Sequence, residues 1–316
     1  MTLIEPNDAL VETIVRFHDP TRLEELCKAL LCLIGQTYRP LRVMLLTQRF
    51  GADPLAALQA RLDIYRRIDP TVTLDVVNYT ETGILADARS ALINLGIDTA
   101  RGRYLALLDY DDTLYPQAYA LLVEELRASG CAVAYAGVAL KSVAVDPALP
   151  YGVAFARKPQ PNGSGLLDMF RGSFCPLHSL LLDRSLIDPV DLRTDETLPI
   201  FEDYEWQIRM ATRYPFSFAR LAEVIGDYRL RDDGSNTVPL ANSATLQDRA
   251  LWNHYADEIE RRRRNLVIET TVQATIGLSP PQPGLTIRAL LDGLDCGSLV
   301  VRPPRYLEPR VLLNSP

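Results

Sequence analysis

At 316 residues the chain can hold one large domain, or one domain with an appendage. Its composition, 47% hydrophobic and 23% charged, is ordinary for a globular protein and argues against disorder. A net charge of -7 argues against a general nucleic-acid binder, which needs a basic face, and no apolar run approaches the ~20 residues of a membrane helix. The N-terminal Met1-Thr-Leu-Ile-Glu-Pro-Asn-Asp8 lacks the basic and apolar regions of a signal peptide, and the five cysteines (Cys27, Cys32, Cys131, Cys175, Cys296) are scattered with no Cys-x-x-Cys pair. A cytoplasmic protein with reduced cysteines is the expectation.

Val11 to Phe17 is rich in β-branched residues and reads as a first strand. Thr21-Arg-Leu-Glu24 has capping-box spacing, with Thr21 as the N-cap. Leu23, Leu26, Cys27, Leu30, Leu31 and Ile34 then form one helical face, which ends at Gly35. Leu41 to Leu46 is a second strand, Asp53 to about Arg67 a helix, Val72 to Val77 a third strand, and Asp87 to Thr99 a helix. Tyr104 to Leu108 is a fourth strand. Pro116 to Ser129 reads as an amphipathic helix and Cys131 to Leu140 as a strand. Asp146 to Gly165 reads as a long loop over the sheet, and His178 to Asp183 as a short strand with its histidine at the entrance. Glu202 and Asp203 stand in the first turn of a helix. Phe216 to Ile225 is expected at a sheet edge, and Asp227 to Asn236 as a polar loop. From Asn242 to Asn265 a helix ends in Arg261 to Arg264, and the rest reads as loop-rich.

Strict alternation of strands and helices predicts parallel strands with right-handed crossovers. Near-continuous apolar strands fit a sheet covered on both faces. Ligands of such sheets lie beyond the carboxyl ends of the strands, where His18, Gln48 and Asp109 to Asp112 fall. The missing Gly-x-Gly-x-x-Gly after the first strand argues against a dinucleotide cofactor.

The fourth strand stops at Asp109, Asp111 and Asp112. Like charges repel, so this cluster suits a divalent cation, and on extended chain Asp109 and Asp111 point the same way. A solvated turn capping the next helix is the plainer alternative. For Glu202 and Asp203 the plainer alternative is compensation of the helix dipole. The same argument applies to the arginine run, which also leaves peripheral membrane contact open.

Gln36-Thr-Tyr-Arg-Pro-Leu-Arg-Val43, Ala88-Arg-Ser-Ala-Leu-Ile-Asn-Leu-Gly-Ile97, Ala100-Arg-Gly-Arg-Tyr104, Leu108-Asp-Tyr-Asp-Asp112, His178-Ser179 and Phe201-Glu-Asp-Tyr-Glu-Trp206 occur in that order. Together they resemble the motifs of the inverting GT-A glycosyltransferases of family 2, over Val11 to Asn236. The resemblance implies an α/β fold, a Rossmann-like α/β/α three-layer domain with a mostly parallel sheet. The alternation stops after about Leu240, so that domain is expected over residues 1–240, with an extension over 241–316 that is a helix and then a loop-rich segment. It implies a nucleotide-diphosphate sugar donor, a sugar or glycoconjugate acceptor, and Mn2+ or Mg2+ held by Asp111 with Asp109 or Asp112 assisting. Few cationic side chains would then be needed. Asp203 would be the general base, with Glu202 the alternative, in polysaccharide or glycoconjugate synthesis. Arg89 would meet the phosphates, and His178 would lie on the acceptor side.

The sequence also departs from the family. Arg16-Phe-His-Asp19 stands where the family has Pro-x-Tyr-Asn, making Arg16 and His18 substrate-binding candidates. Leu46-Thr-Gln-Arg-Phe50 replaces Val-Asp-Asp-Gly-Ser, so Gln48 is the candidate for a pyrimidine base. That loss motivates the rival expectation, a catalytically silent GT-A-like domain that binds a sugar nucleotide or a partner.

Overall fold

The structure, a computed structural model, describes residues 8–81, 87–146, 148–149, 152–159, 163–233 and 246–302. Its strands are β1 (Val11–Phe17), β2 (Leu41–Gln48), β3 (Val72–Tyr79), β4 (Tyr104–Asp109), β5 (Thr113–Leu114), β6 (Val133–Ala144), β7 (Val153–Pro159), β8 (Leu180–Asp183) and β9 (Phe216–Arg231). The helices are α1 (Leu23–Ile34), α2 (Ala52–Ile68), α3 (Arg89–Thr99), α4 (Ala118–Ser129), α5 (Leu166–Arg171), α6 (Glu202–Ala211), α7 (Leu246–Asn265), α8 (Thr270–Thr275) and α9 (Ile287–Asp295).

One sheet runs β3-β2-β1-β4-β8-β6-β9-β5, with β7 paired to β6. The expected parallel strands are its first half: β3, β2, β1 and β4 pair parallel and in register. The second half is not parallel throughout, because β8 runs antiparallel to both β4 and β6. Alternate residues of the parallel strands enter different cores. Val11, Val15, Val43, Leu45, Ala106 and Leu108 pack with α1, α2 and α4, whereas Ile14, Met44, Leu46, Leu105 and Leu107 pack with α3, α6 and the C-terminal helices. Both faces are covered, which is why these strands read as unbroken apolar runs.

Polar side chains hold the turns that frame the site. Glu12 is fully buried in β1 and accepts hydrogen bonds from the Arg101 and Gly102 backbone N–H groups and from Arg42. Gly102 is required there, since a Cβ would lie 2.8 Å from the Leu10 carbonyl oxygen. Gln36 donates to the Tyr115 carbonyl and accepts from the Tyr119 N–H, tying α1 to the chain beyond the acid cluster. Asn94 of α3 binds the Thr194 backbone on both sides of its amide, fixing the segment that leads into α6.

Several local expectations are corrected. Asp19, not Thr21, caps the first helical turn by accepting from the Thr21 N–H, and α1 itself has no side-chain cap. Leu31 is 46% exposed rather than part of the apolar face. The expected loop over 146–165 contains β7, an outer strand on β6. Over Phe216 to Ile225 β9 has β6 as its one strand partner, as expected of an edge; at Gly226 and Asp227 it also takes β5, and it continues to Arg231, into the stretch expected as polar loop. The boundary at residue 240 and the expected start of α7 lie outside the described residues. The C-terminal segment is more helical than expected, and Ile259, Ile268, Val272, Leu285, Ile287 and Leu290 share a core with Trp206 and Phe216. The arginine run is engaged within the fold. Arg262 pairs with Glu258 and Asp195, Arg263 and Arg264 pair with Glu260, and Arg261 pairs with Glu258. Among the described residues no helix is long and apolar enough to cross a membrane.

Candidate active site

Two cavities open at the carboxyl ends of the parallel strands and share Arg16, Arg89, Asp109, Asp112 and Tyr228 in their walls. The first, of about 170 Å³, adds His18, Gln48, Asp87, Tyr110, Asp111, Arg229 and Arg231. The second, of about 340 Å³, adds Phe174, Cys175, Phe201, Glu202, Asp203 and Trp252 among others. The sequence candidates therefore divide between two adjoining spaces. Asp111 faces one and Asp203 the other.

The register of β1 on β4 sets Arg16 opposite Asp109. Arg16 binds both Asp109 oxygens at 2.8 Å and reaches Glu202 at 3.2 Å. Burial alone would raise the Asp109 pKa, but the Arg16 charge and hydrogen bonds outweigh it and hold Asp109 below the usual carboxylate range. Glu202 behaves differently although it meets the same guanidinium and lies 3.9 Å from Arg89. Only 3% exposed, its carboxyl is pushed up to about 7 by burial, against the lowering by Arg89 and Arg16 and with the Asp203 charge adding to it. Arg16, by contrast, stays firmly charged. Its bidentate contact is with Asp109, so Glu202 receives a single longer bond that does not repay its desolvation.

The three acids after β4 have separate environments. Asp111 lies 3.0 Å from Arg231, which also binds Glu25. Burial and the nearby Asp112 charge raise the Asp111 pKa well above a normal carboxylate despite that arginine. Asp112 is 3% exposed, accepting from the Arg229 backbone N–H at 2.8 Å and lying 3.2 Å from His178 Nδ1. Asp112 nonetheless borders both cavities, as Asp109 does, while one of its oxygens accepts from the Arg229 N–H and the other lies beside His178. Among the described residues no group of three or more histidine, cysteine or acidic side chains is arranged to hold a metal by itself.

His18 sits on the first cavity with its ring edge against Tyr110, and burial lowers its pKa. Gln48 also lines that cavity, with Oε1 accepting from the Ala88 N–H at the start of α3. Arg89 lines both cavities and pairs with Asp87. His178 is absent from both walls: it is 2% exposed, behind Asp112, with no partner for Nε2 among the described residues. Burial would lower its pKa, but the neighbouring Asp112 raises it. It supports the acid cluster from beneath.

Asp203 lines the larger cavity, and its Oδ1 accepts from the Tyr204 N–H at 2.7 Å. Burial raises its pKa, with that hydrogen bond opposing. Among the described residues it makes no ion pair, unlike Glu202.

Sequence reasoning missed Tyr228, Arg229 and Arg231 of β9, Asp87, Phe201 and Trp252. The alternation Tyr228-Arg-Leu-Arg231 was the available signal for the first three. Nor is the site poor in cations, since Arg16, Arg89, Arg229 and Arg231 all line it.

Residues 87–173 match the sequence model described as Glycosyl transferase family 2. The succinoglycan biosynthesis protein ExoO of Rhizobium meliloti (strain 1021) is 31% identical over 120 residues, which cover 35% of this chain and 33% of that protein. The chain thus spans about a third of the length of this curated relative. S. aureus TarS 1–349 superimposes with a TM-score of 0.50 at 13% identity, covering 83% of this chain and 84% of that one. The same protein in complex with UDP-GlcNAc gives 0.50 at 15% identity, covering 81% and 70%. The fold is that of the GT-A glycosyltransferases, and residues 87–173 carry the likeness to glycosyltransferase family 2.

Proposed function

We propose that the chain is an inverting glycosyltransferase that moves a sugar from a nucleoside-diphosphate donor to an acceptor hydroxyl in polysaccharide synthesis. The observation that carries this is the pair of adjoining cavities, with Asp111 in one and Asp203 in the other. One space suits the donor diphosphate and the other the incoming hydroxyl, and the anomeric carbon would lie where they meet. The family segment and the likeness to a succinoglycan biosynthesis protein support the same reading.

In this reading Asp203 accepts the proton of the acceptor hydroxyl as its oxygen bonds to the anomeric carbon. The bond from that carbon to the diphosphate breaks, its electron pair leaving on the diphosphate oxygen. One displacement from the opposite face inverts the anomeric centre. Arg16 and Arg89 border both spaces and would orient the sugar and the diphosphate. Glu202, buried and bound to Arg16, would position that arginine rather than take the proton.

The oxygen donors fit Mn2+ or Mg2+ in part. Asp111 would supply a carboxylate toward the first cavity, with Asp109, whose oxygens also bind Arg16, assisting. When bound, the cation neutralises charge that develops on the leaving diphosphate. Asp112 would stay with His178.

A catalytically silent binding domain is the competing reading, but a pure binder has no use for a half-buried acid in the wall of a second cavity. Thermal shifts with a panel of nucleotide sugars, with and without Mn2+, test the proposal. At least one donor should raise the melting temperature more strongly in Mn2+. No stabilisation by any of them would overturn it.

A further inference from the structure

The larger cavity has a wall from outside the family segment. Phe201, immediately before Glu202 and Asp203, has φ 62°, the left-handed region that bulky side chains rarely enter. Such a conformation is strained and persists only where surrounding structure imposes it. Here the Phe201 ring packs on Trp252 of α7, with centroids 4.4 Å apart and planes at 55°. Both rings line the cavity that holds Asp203.

Helix α7 is seated firmly enough to present that indole. Trp252, Tyr255, Ile259 and Arg263 recur at helical spacing, Ile259 is buried, and Tyr255 packs against the core beside it. Arg263 donates to the Tyr204 hydroxyl at 3.3 Å and Arg262 to Asp195 at 2.8 Å, fastening α7 to α6 and the segment before it. The chain's other tryptophan makes the contrast: Trp206 is 0% exposed, and its Nε1 donates to the Leu192 carbonyl. Trp206 is core, whereas Trp252 is half-buried at a cavity wall.

We propose that Trp252, with Phe201, is the platform on which a pyranose ring of the acceptor stacks, and that it sets acceptor specificity. A pyranose presents an apolar C–H face and a rim of hydroxyls. The indole takes the face. Glu202, Asp203 and Arg89 lie in the same wall system to meet the hydroxyls, and a volume of about 340 Å³ is within the range of small-ligand sites. This rests on the glycosyltransferase reading and extends it to a residue that the C-terminal segment contributes.

The test is titration of the full chain with methyl hexopyranosides of the glucose, galactose, mannose and N-acetylglucosamine series, followed by tryptophan emission. The expected result is a saturable change with at least one glycoside, lost in Trp252→Phe, where only Trp206 remains. By calorimetry Trp252→Phe should hold that glycoside nearly as well as wild type, whereas Trp252→Ala should bind it about tenfold more weakly. Donor-induced thermal shifts should be the same in all three proteins. An emission change that survives in Trp252→Phe, equal glycoside affinity in Trp252→Ala, or no response to any glycoside would overturn the platform. Donor stabilisation retained alongside such a result would leave the glycosyltransferase reading standing. Its absence in wild type would sink that reading instead.

Discussion

Arg16 closes on both oxygens of Asp109 across the β1–β4 register and spends its third contact on Glu202, so that one guanidinium joins two strands to the start of α6. Removing it leaves two acids without that cation in a largely buried setting. Arg16→Met should cost on the order of 3 kcal/mol in urea unfolding. Asp109→Asn added to it should recover part of that loss, because the residual repulsion goes with the charge. Strictly additive effects of the two changes would show that the pair is not coupled.

Glu202 gives the pH dependence. Its folded pKa, about 7, lies above the ordinary 4.5, so the native state binds more protons than the unfolded state between those values. Stability contributed by the protonated form is therefore full below about pH 4.5 and lost as pH rises through 7. Glu202→Gln removes that loss: its advantage over wild type should grow from about pH 4.5 to 7 and then level off, at no more than about 3 kcal/mol. Unfolding curves at several pH values check this, and a variant that is less stable than wild type at pH 8 would contradict it.

In the proposed mechanism Asp111 and Asp112, neighbours in sequence, have different duties. Asp111→Ala should weaken Mn2+-dependent nucleotide binding about tenfold or more with little change in melting temperature. Asp112→Ala should lower the melting temperature by several degrees, since the Arg229 N–H and the buried His178 lose their acceptor. Calorimetry and thermal melts together separate the two, and equal effects of both substitutions would undo the distinction.

Gly102 permits the turn that Glu12 grips. Gly102→Ala should destabilise by about 1–3 kcal/mol, because its Cβ would press on the Leu10 carbonyl rather than on a movable side chain. Unchanged stability would mean that this turn shifts freely.

The parallel half of the sheet was legible because each strand is apolar on both faces and each crossover helix carries one apolar stripe. β9 was not legible beyond Ile225. Its last residues, Tyr228, Arg229 and Arg231, are polar because they line a charged cavity, and a polar run reads as loop. The acids were found by type and position, but their partners were not. That Asp112 turns toward His178 while Asp109 faces Arg16 depends on strand register, which no local pattern prints. Trp252 was beyond reach, since α8 and α9 are short and proline-flanked and hid that the C-terminal segment completes the same core.

In the proposed mechanism Asp111 anchors the donor and Asp203 takes the proton. Donor binding and sugar transfer measured side by side for Asp203→Asn test it most directly. Donor affinity should stay close to wild type and transfer should fall at least about 10²-fold, the usual worth of a positioned base. Full turnover by Asp203→Asn would contradict it.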